Sequence, residues 1–394
     1  MPGKSVQTSG TLSPGELNRA VLARQMLLQR ERIGVAEAIE RLAGMQAQYS
    51  PSPYIGLWTR LEDFRHEQLT DALTERKVVK ATLMRVTLHL ASARDYPIMD
   101  RALVEARVAT WSKYAADLRL SVPELHQKLF DYVREPRTFE EMLEHIGDVP
   151  MPPGGEPDPE RRRRIAWRAA TAAGGILQAL PAGTWRYFGK NSYISARTWL
   201  GDYEQPPFEE ALTFLVRRYL AAFGPATRAD IVQWSGLRKV GDVDKGLQAL
   251  GDEVVAFRSE ANANAILYDL AGSPRPPAET AAPPRFLPKW DNMLLAYESR
   301  DRERVLPREY HKTVIRVNGD VLPTILVDGK VAGAWSVACK GKVATLSIEV
   351  FQEISSQSRN GLEEEGERLV RFYEPDASIY EIQFTHPSKG VAQM

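Results

Sequence analysis

The stretch GMQAQYSPSPY, residues 44–54, sets Gln46 and Gln48 one residue apart at the end of an apolar helical pattern and follows them with Pro51 and Pro53. Glutamine does not titrate, so neither side chain can be a general acid or a general base. What an amide can do is orient. It can hold a water molecule in line for attack, or aim a carbonyl dipole at a centre that becomes positive. It can also do no more than satisfy a helix end. Side chains at i and i+2 diverge on a helix but share a face of an extended segment. Both amides therefore reach one water only if the backbone leaves the helix near Gly44 or Met45. The two prolines would then keep the exit segment rigid, as a preorganised site requires.

Other positions that could carry chemistry are few. His89 lies in RVTLHL (85–90), where a strand would put Arg85, Thr87 and His89 on one face. It is either a structural histidine at a strand end or a contact to nucleic acid. The six histidines have no metal-ligand spacing, so no metal is expected. Arg161, Arg162 and Arg164 lead into Trp167 and Arg168 on a helical pattern. A basic helix with an aromatic beside it suits a phosphate backbone, and equally a solvated face next to an acidic loop. Asp291 reads as the cap of an apolar helix, and Asp301, Arg302, Glu303 and Arg304 are expected to pair among themselves. There is no P-loop, dinucleotide-binding glycine pattern, nucleophile elbow or zinc signature, which excludes ATP-driven, hydride-transfer and zinc-deaminase chemistry.

The elements that must position these residues follow a recurring order. Ser13-Pro14-Gly15-Glu16 opens a first helix with a cap, a proline and a glutamate in place. Helices are expected over Val35–Ala43 and 67–75, and the Val- and Thr-rich VVKATLMRVTLHLAS reads as two short strands. Helices followed by a strand pair are the order of a winged helix. The order returns in 121–205, with a helix over ERRRRIAWRAATAAGGILQAL and a hairpin in TWRYFGKNSYISA. It returns again in 206–272, where Thr227 caps a helix, Gly236 sits at a turn and Val240–Leu250 fills the recognition-helix slot. Lys77, Lys80 and Arg85 lie on or near the first wing, and Arg186 and Lys190 on the second; wings of this kind touch phosphates or the minor groove. The segment 147–160 is expected to be a loop, and the proline-rich 271–285 a domain linker. Beyond it, strands separated by Asn-Gly, Asp-Gly and Lys-Gly turns predict an antiparallel β domain over 283–394, with an acidic helix at Gly361–Glu374. The expected class is mainly α with β wings: three tandem winged-helix units, the first over 11–120, then the C-terminal β domain.

Composition sets the bounds. Of 394 residues, 51 are Lys or Arg and 51 Asp or Glu, so net charge makes no whole-molecule case for nucleic acid and only a local basic face could. Cys339 is the single cysteine, which fits a reducing, cytosolic compartment. The N-terminal stretch lacks the apolar run of a signal peptide, and no stretch approaches the length of a membrane span.

LSPGELNRAVLARQMLLQR, AIERLAGMQAQYSPSPYIGLWTRLEDF, VVKATLMRVTLHLASARDY, GPATRADIVQW and FLPKWDNMLLAY together resemble the AlkZ-like winged-helix DNA glycosylases over nearly the whole chain. The resemblance implies removal of alkylated purines from duplex DNA by a cytoplasmic, nucleoid-associated monomer without cofactor. It also implies a catalytic Gln-x-Gln motif at Gln46-Ala47-Gln48 and, on this two-glutamine branch, bacterial self-resistance to a genotoxin. A purine alkylated at N7 is already cationic and leaves as a neutral base, so two amides suffice where a poorer leaving group would need an acid. Bulky or crosslinked adducts call for an open basic cleft instead of a tight base-flipping pocket. A winged-helix transcription regulator, which expects a dimer on a palindrome, and a module that sequesters a DNA-damaging ligand are the alternatives.

Overall fold

The computed structural model describes residues 8–151, 154, 156 and 158–385; the expected loop over 147–160 and the polar N-terminal stretch fall partly outside them. The helix Pro14–Arg24 begins as its sequence dictates. Ser13 Oγ accepts from the Glu16 amide at 3.2 Å, and the Glu16 carboxylate takes the Ser13 amide in return at 2.9 Å. Two of the three expected strand pairs are present, Val78–Thr82 with Leu88–Ser92 and Val254–Ser259 with Ile266–Leu270; the hairpin expected within TWRYFGKNSYISA does not form, and its Ser192–Ser195 pairs instead with Ile176–Gln178. ILQ, expected at the end of a helix, is a strand, because the helix Pro159–Thr171 stops before Gly174 and Gly175. The segment around Trp185 and Gly189 is a looping connection and not a hairpin turn.

The pairs combine through contacts that no local sequence pattern marks. The Val78–Thr82 and Ile176–Gln178 pairs fuse edge to edge, with Lys80 opposite Gln178 and Ala81 opposite Leu177. The result is one six-stranded sheet with Met45–Gln46 on one edge and Arg137–Thr138 on the other. The remaining pair gains Thr11–Leu12 as a parallel partner of Val254–Ser259. The C-terminal five-stranded sheet is antiparallel except at its end. There the helix Ser356–Tyr373 carries the chain over to lay Ile379–Thr385 parallel to Val343–Val350, a correction to an all-antiparallel domain.

The long helix Tyr96–Asp117 packs against the helices Phe208–Phe223 and Pro159–Thr171 and touches the turn Met84–Val86. One apolar core passes from Val21 and Leu22 through Tyr96 and Leu103 to Phe223, Trp234, Tyr297 and Val331. A second joins Tyr54 and Leu69 to Phe286, Trp335 and Leu369. The expected linker is strapped to the N-terminal helix: Arg24 donates to the carbonyl of Pro274 and Arg19 to that of Thr280. Arg24 also forms a fully buried pair with Asp269 at 2.6 and 2.9 Å, and Asn18 Nδ2 donates to the carbonyls of Arg304 and Gly329, each at 2.8 Å. Arg304 lies buried against the Tyr297 ring and donates to the backbone carbonyls of Asp301 and Pro225, so its hydrogen bond within the run 301–304 goes to backbone and not to a carboxylate as expected. Among the described residues no helix is long and apolar enough to cross a membrane.

Candidate active site

The helix Val35–Arg41 ends at a pair of left-handed residues, Ala43 (φ 55°) and Gly44 (φ 88°). A Cβ at 44 would lie 3.1 Å from the Leu90 carbonyl, so glycine both stops the helix and lets the chain pass close under the sheet. The backbone then becomes extended. Met45–Gln46 pairs antiparallel with Leu88–Ser92, Gln46 facing His89, and Ala47 N–H reaches the Leu88 carbonyl at 2.8 Å. On the outer edge of this two-residue strand, Asn292 Oδ1 accepts from Gln46 N–H at 3.1 Å while its Nδ2 donates to the Gly44 carbonyl. The side-chain amide of Asn292 thus stands where a neighbouring strand's peptide would. Asp291 caps the helix Asn292–Leu295, accepting from Met293 N–H, and forms a buried ion pair with Arg60 at 3.0 Å. Pro51 and Pro53 do not stiffen an extended exit; they sit in the first turn of the helix Pro51–Trp58, where a missing N–H costs nothing.

With the helix ended at Gly44, the two amides meet. Gln46 Nε2 donates to Gln48 Oε1 at 2.8 Å; Gln46 is 6% exposed and Gln48 is exposed. Behind them, Arg85 Nη2 donates to Gln46 Oε1 at 2.9 Å and Arg85 Nη1 to the Trp234 carbonyl. Arg85 belongs to no strand. It lies in a tight turn, Met84–Val86, with Arg85 at φ 52° and Val86 at φ 59°, a strained backbone that costs of order 1–3 kcal/mol at each residue. The expected alternation of Arg85, Thr87 and His89 along one strand face is corrected accordingly.

Burial, with the nearby Arg85 charge adding to it, pushes His89 down to about 3, while burial and Arg302 lower Arg85 to about 10. His89 Nδ1 faces the Thr87 carbonyl at 2.9 Å and so carries the proton of a neutral ring. Gln48, Arg85 and Thr87 open onto a cleft of about 770 Å³. Its far walls are Thr110 and Trp111 of the long helix, Trp167 and Arg168 of the helix Pro159–Thr171, Tyr193, and Gln233 of the helix Arg228–Ser235 with Gly236 at its end. Among the described residues no group of three or more His, Cys, Asp or Glu is placed to hold a metal ion.

Comparison with known proteins bears on this arrangement. The family described as DNA glycosylase AlkZ-like matches residues 39–372. The chain belongs to the AlkZ-like DNA glycosylase family. A Streptomyces sahachiroi protein described as an interstrand DNA cross-link repair glycosylase is 25% identical over 345 residues, spanning 82% of this chain and 88% of that protein. The solved structure of Streptomyces sahachiroi DNA glycosylase AlkZ aligns with a TM-score of 0.78 at 20% identity, covering 95% of this chain and 100% of that one; at this identity the likeness speaks for the fold.

In this AlkZ-like glycosylase the expected DNA contacts divide. Arg168, exposed and 5.2 Å from the Trp111 ring, and half-buried Thr87 face the cleft. Lys77 and Lys190 are exposed and do not line the cleft, and Lys77 pairs with Glu75 at 2.6 Å. Arg161 meets Glu156 at 3.0 Å, Arg164 meets Glu160 at 2.6 Å, and Arg162 donates to the carbonyls of Val149 and Glu156. Three expectations are corrected. Lys80 is 5% exposed: strand alternation turns it to the sheet face opposite Val79 and Ala81, that face is covered as theirs is, and burial lowers it to about 8. His89 is 1% exposed and cannot meet a duplex. Arg186 is held by both Glu374 oxygens at 2.6 and 2.9 Å, between the rings of Trp185 and Tyr373. Asn292, Trp111 and Tyr193 were missed; only the Trp-Asp-Asn run near Asp291 hinted at the first, and nothing local marks the others.

Proposed function

We propose that this chain is a monofunctional DNA glycosylase that hydrolyses the N-glycosidic bond of cationic N-alkylpurines, N7-alkylguanine above all, with Gln46 and Gln48 as its catalytic pair. The observation that carries the reading is the contact between the two amides, one buried and one open to the cleft. Gln46 occupies one lone pair of Gln48 Oε1 and leaves the other for a water O–H. A water held there is oriented toward the sugar C1′ of a nucleotide in the cleft. The glycosidic bond breaks with its electron pair going to the purine, which neutralises the cation. The water oxygen bonds to C1′ and its surplus proton passes to solvent. The amide dipoles favour the positive charge that builds on the sugar. His89 is neutral and buried and takes no part as an acid, which agrees with a lesion that brings its own leaving-group charge.

The cleft is open and walled by separate elements, a shape that suits bulky adducts. By analogy with the cross-link repair relative, adducts and interstrand crosslinks left by a genotoxic natural product are the substrates we favour, in self-resistance or base-excision repair. We read the helices and strand pairs of 11–272 as three winged-helix units of a monomer folded around one duplex site. Incubation with duplex DNA containing 7-methylguanine is expected to release free 7-methylguanine and leave an abasic site. Tight binding of the same duplex without base release would overturn the proposal in favour of a regulator or a binding module.

A further inference from the structure

We infer that Arg85 is a positioning residue which fixes the amide orientation of the Gln46–Gln48 pair and ties it to the helix Arg228–Ser235. The inference rests on the assignment of the two glutamines to the reaction. A glutamine amide has nearly the same shape when flipped, so packing alone leaves its polarity open. A guanidinium has donors and no acceptor. The Gln46 atom 2.9 Å from Arg85 must therefore be Oε1, and Nε2 must face Gln48. The Gln48 atom that accepts at 2.8 Å must in turn be Oε1. One arginine thus dictates the direction of the whole chain of hydrogen bonds and with it the lone pair that the cleft-facing amide offers. If Gln46 flips, Gln48 turns its amino group inward and the polarity met by the attacking water reverses.

Arg85 is itself held from outside its own sheet. Its second arm reaches the carbonyl of Trp234, one of the last carbonyls of the helix Arg228–Ser235, which lack partners within the helix and carry the negative end of its dipole. Two residues on, Gly236 closes that helix in a left-handed conformation (φ 80°) and lies against the Arg85 turn. A Cβ there would stand 3.0 Å from both N and Cα of Arg85. The left-handed backbone at Arg85 and Val86, a poor choice for either residue locally, is what aims the side chain inward at Gln46 and Trp234 together. A shift of the helix relative to the first sheet consequently moves the guanidinium and releases the Gln46 carbonyl.

Arg85→Lys keeps a charge but cannot span two acceptors with a planar fork. In single-turnover release of 7-methylguanine under saturating enzyme we expect Arg85→Lys and Gly236→Ala each to slow the chemical step at least tenfold, with duplex affinity unchanged within twofold. The Arg85→Lys/Gln46→Ala double variant should be no slower than Gln46→Ala alone, because the arginine acts through the amide. Losses that multiply in the double variant, or a wild-type rate for Arg85→Lys, overturn the inference. A second readout is independent of turnover. With glutamine-selective nitrogen-15 labelling, and side-chain signals assigned from Gln46→Ala and Gln48→Ala, Arg85→Lys should displace the Gln46 and Gln48 amide resonances; unmoved resonances overturn the inference. Resonances that move while Gln46→Ala and Gln48→Ala keep wild-type rates would leave Arg85 as the orienter and overturn the catalytic assignment of the pair.

Discussion

Asn292 clasps the backbone of Gln46 as a strand would, taking its N–H at 3.1 Å and donating to the carbonyl two residues earlier. Asn292 is 7% exposed and lies 246 residues away in sequence. Asn292→Ala leaves two buried backbone groups without partners, at about 1–3 kcal/mol for each unsatisfied group. The expected result is a lower midpoint in denaturant and a slower base release, since the strand that carries Gln46 loses its outer support. Asn292→Asp restores only the acceptor and should recover part of the stability. Equal stability of wild type and Asn292→Ala in urea melts would contradict this role.

Gln46→Ala and Gln48→Ala should each slow release of 7-methylguanine by up to about 10²-fold, the usual cost of one well-placed catalytic hydrogen bond, and by less where the lesion is already labile. Gln48 is exposed, so Gln48→Ala should melt like the wild type. Single-turnover rates at wild-type level in both variants would remove the pair from the mechanism.

Base release from cationic lesions should be nearly flat from about pH 5 to 8, because His89, the titratable ring facing Gln46, sits near 3. Uracil and 8-oxoguanine, which do not leave as neutral bases unaided, should remain in the DNA. Efficient uracil excision, or a bell-shaped profile centred near neutrality, would reveal an acid or base outside the glutamine pair.

Stability, unlike rate, should respond to acid. His89 in the folded protein is held to about 3, below its unfolded value of about 6.5, so the unfolded chain binds the extra proton between these limits. Its contribution is complete above about pH 6.5 and is lost as pH falls toward 3, at up to about 1.4 kcal/mol per pH unit. His66, lowered to about 4 mainly by burial, adds to the same limb but less, because it is only partly buried. His89→Gln should flatten the fall in melting temperature between pH 6.5 and 4.5; an unchanged slope would mean the ring is solvated.

Duplex affinity should fall with salt, and Arg168→Ala should reduce the slope of log affinity against log salt by about 0.9 for a lost phosphate contact. Lys80→Ala should leave that slope unchanged, since Lys80 is buried on the far side of the sheet from Gln46. A reversed pattern would place the duplex against a different face.

Local punctuation was legible. The Ser13 and Thr227 capping boxes, the stop at Gly44, the left-handed Gly236 and the helix Val240–Leu250 all stand where residue types alone put them, because each depends on neighbours within four positions. The meeting of Gln46 and Gln48 followed from the period of an extended chain. Arg85 was misplaced because Val, Thr and Leu around it favour a strand, and a left-handed arginine exists only when the Trp234 carbonyl and Gly236 lie across from it. Alternation could have hidden Lys80 from solvent had the covering Gln178 strand been known; that pairing spans two expected units and has no local signature.

The strapping of the first helix has a consequence for the order of synthesis. Asn18 finds its carbonyl partner at Gly329, 311 residues on, and Arg30 finds its carboxylate at Glu365, 335 residues on. At ordinary translation rates the first helix waits on the order of tens of seconds for groups that do not yet exist. Until they arrive, Arg24 has no Asp269 and the apolar face of Leu22 has no Val331. The nascent chain therefore gains its final stability late and cooperatively, although its hairpins are local. Ribosome-bound fragments ending before residue 330 should be cut readily by protease within 14–30, whereas the released full chain should not.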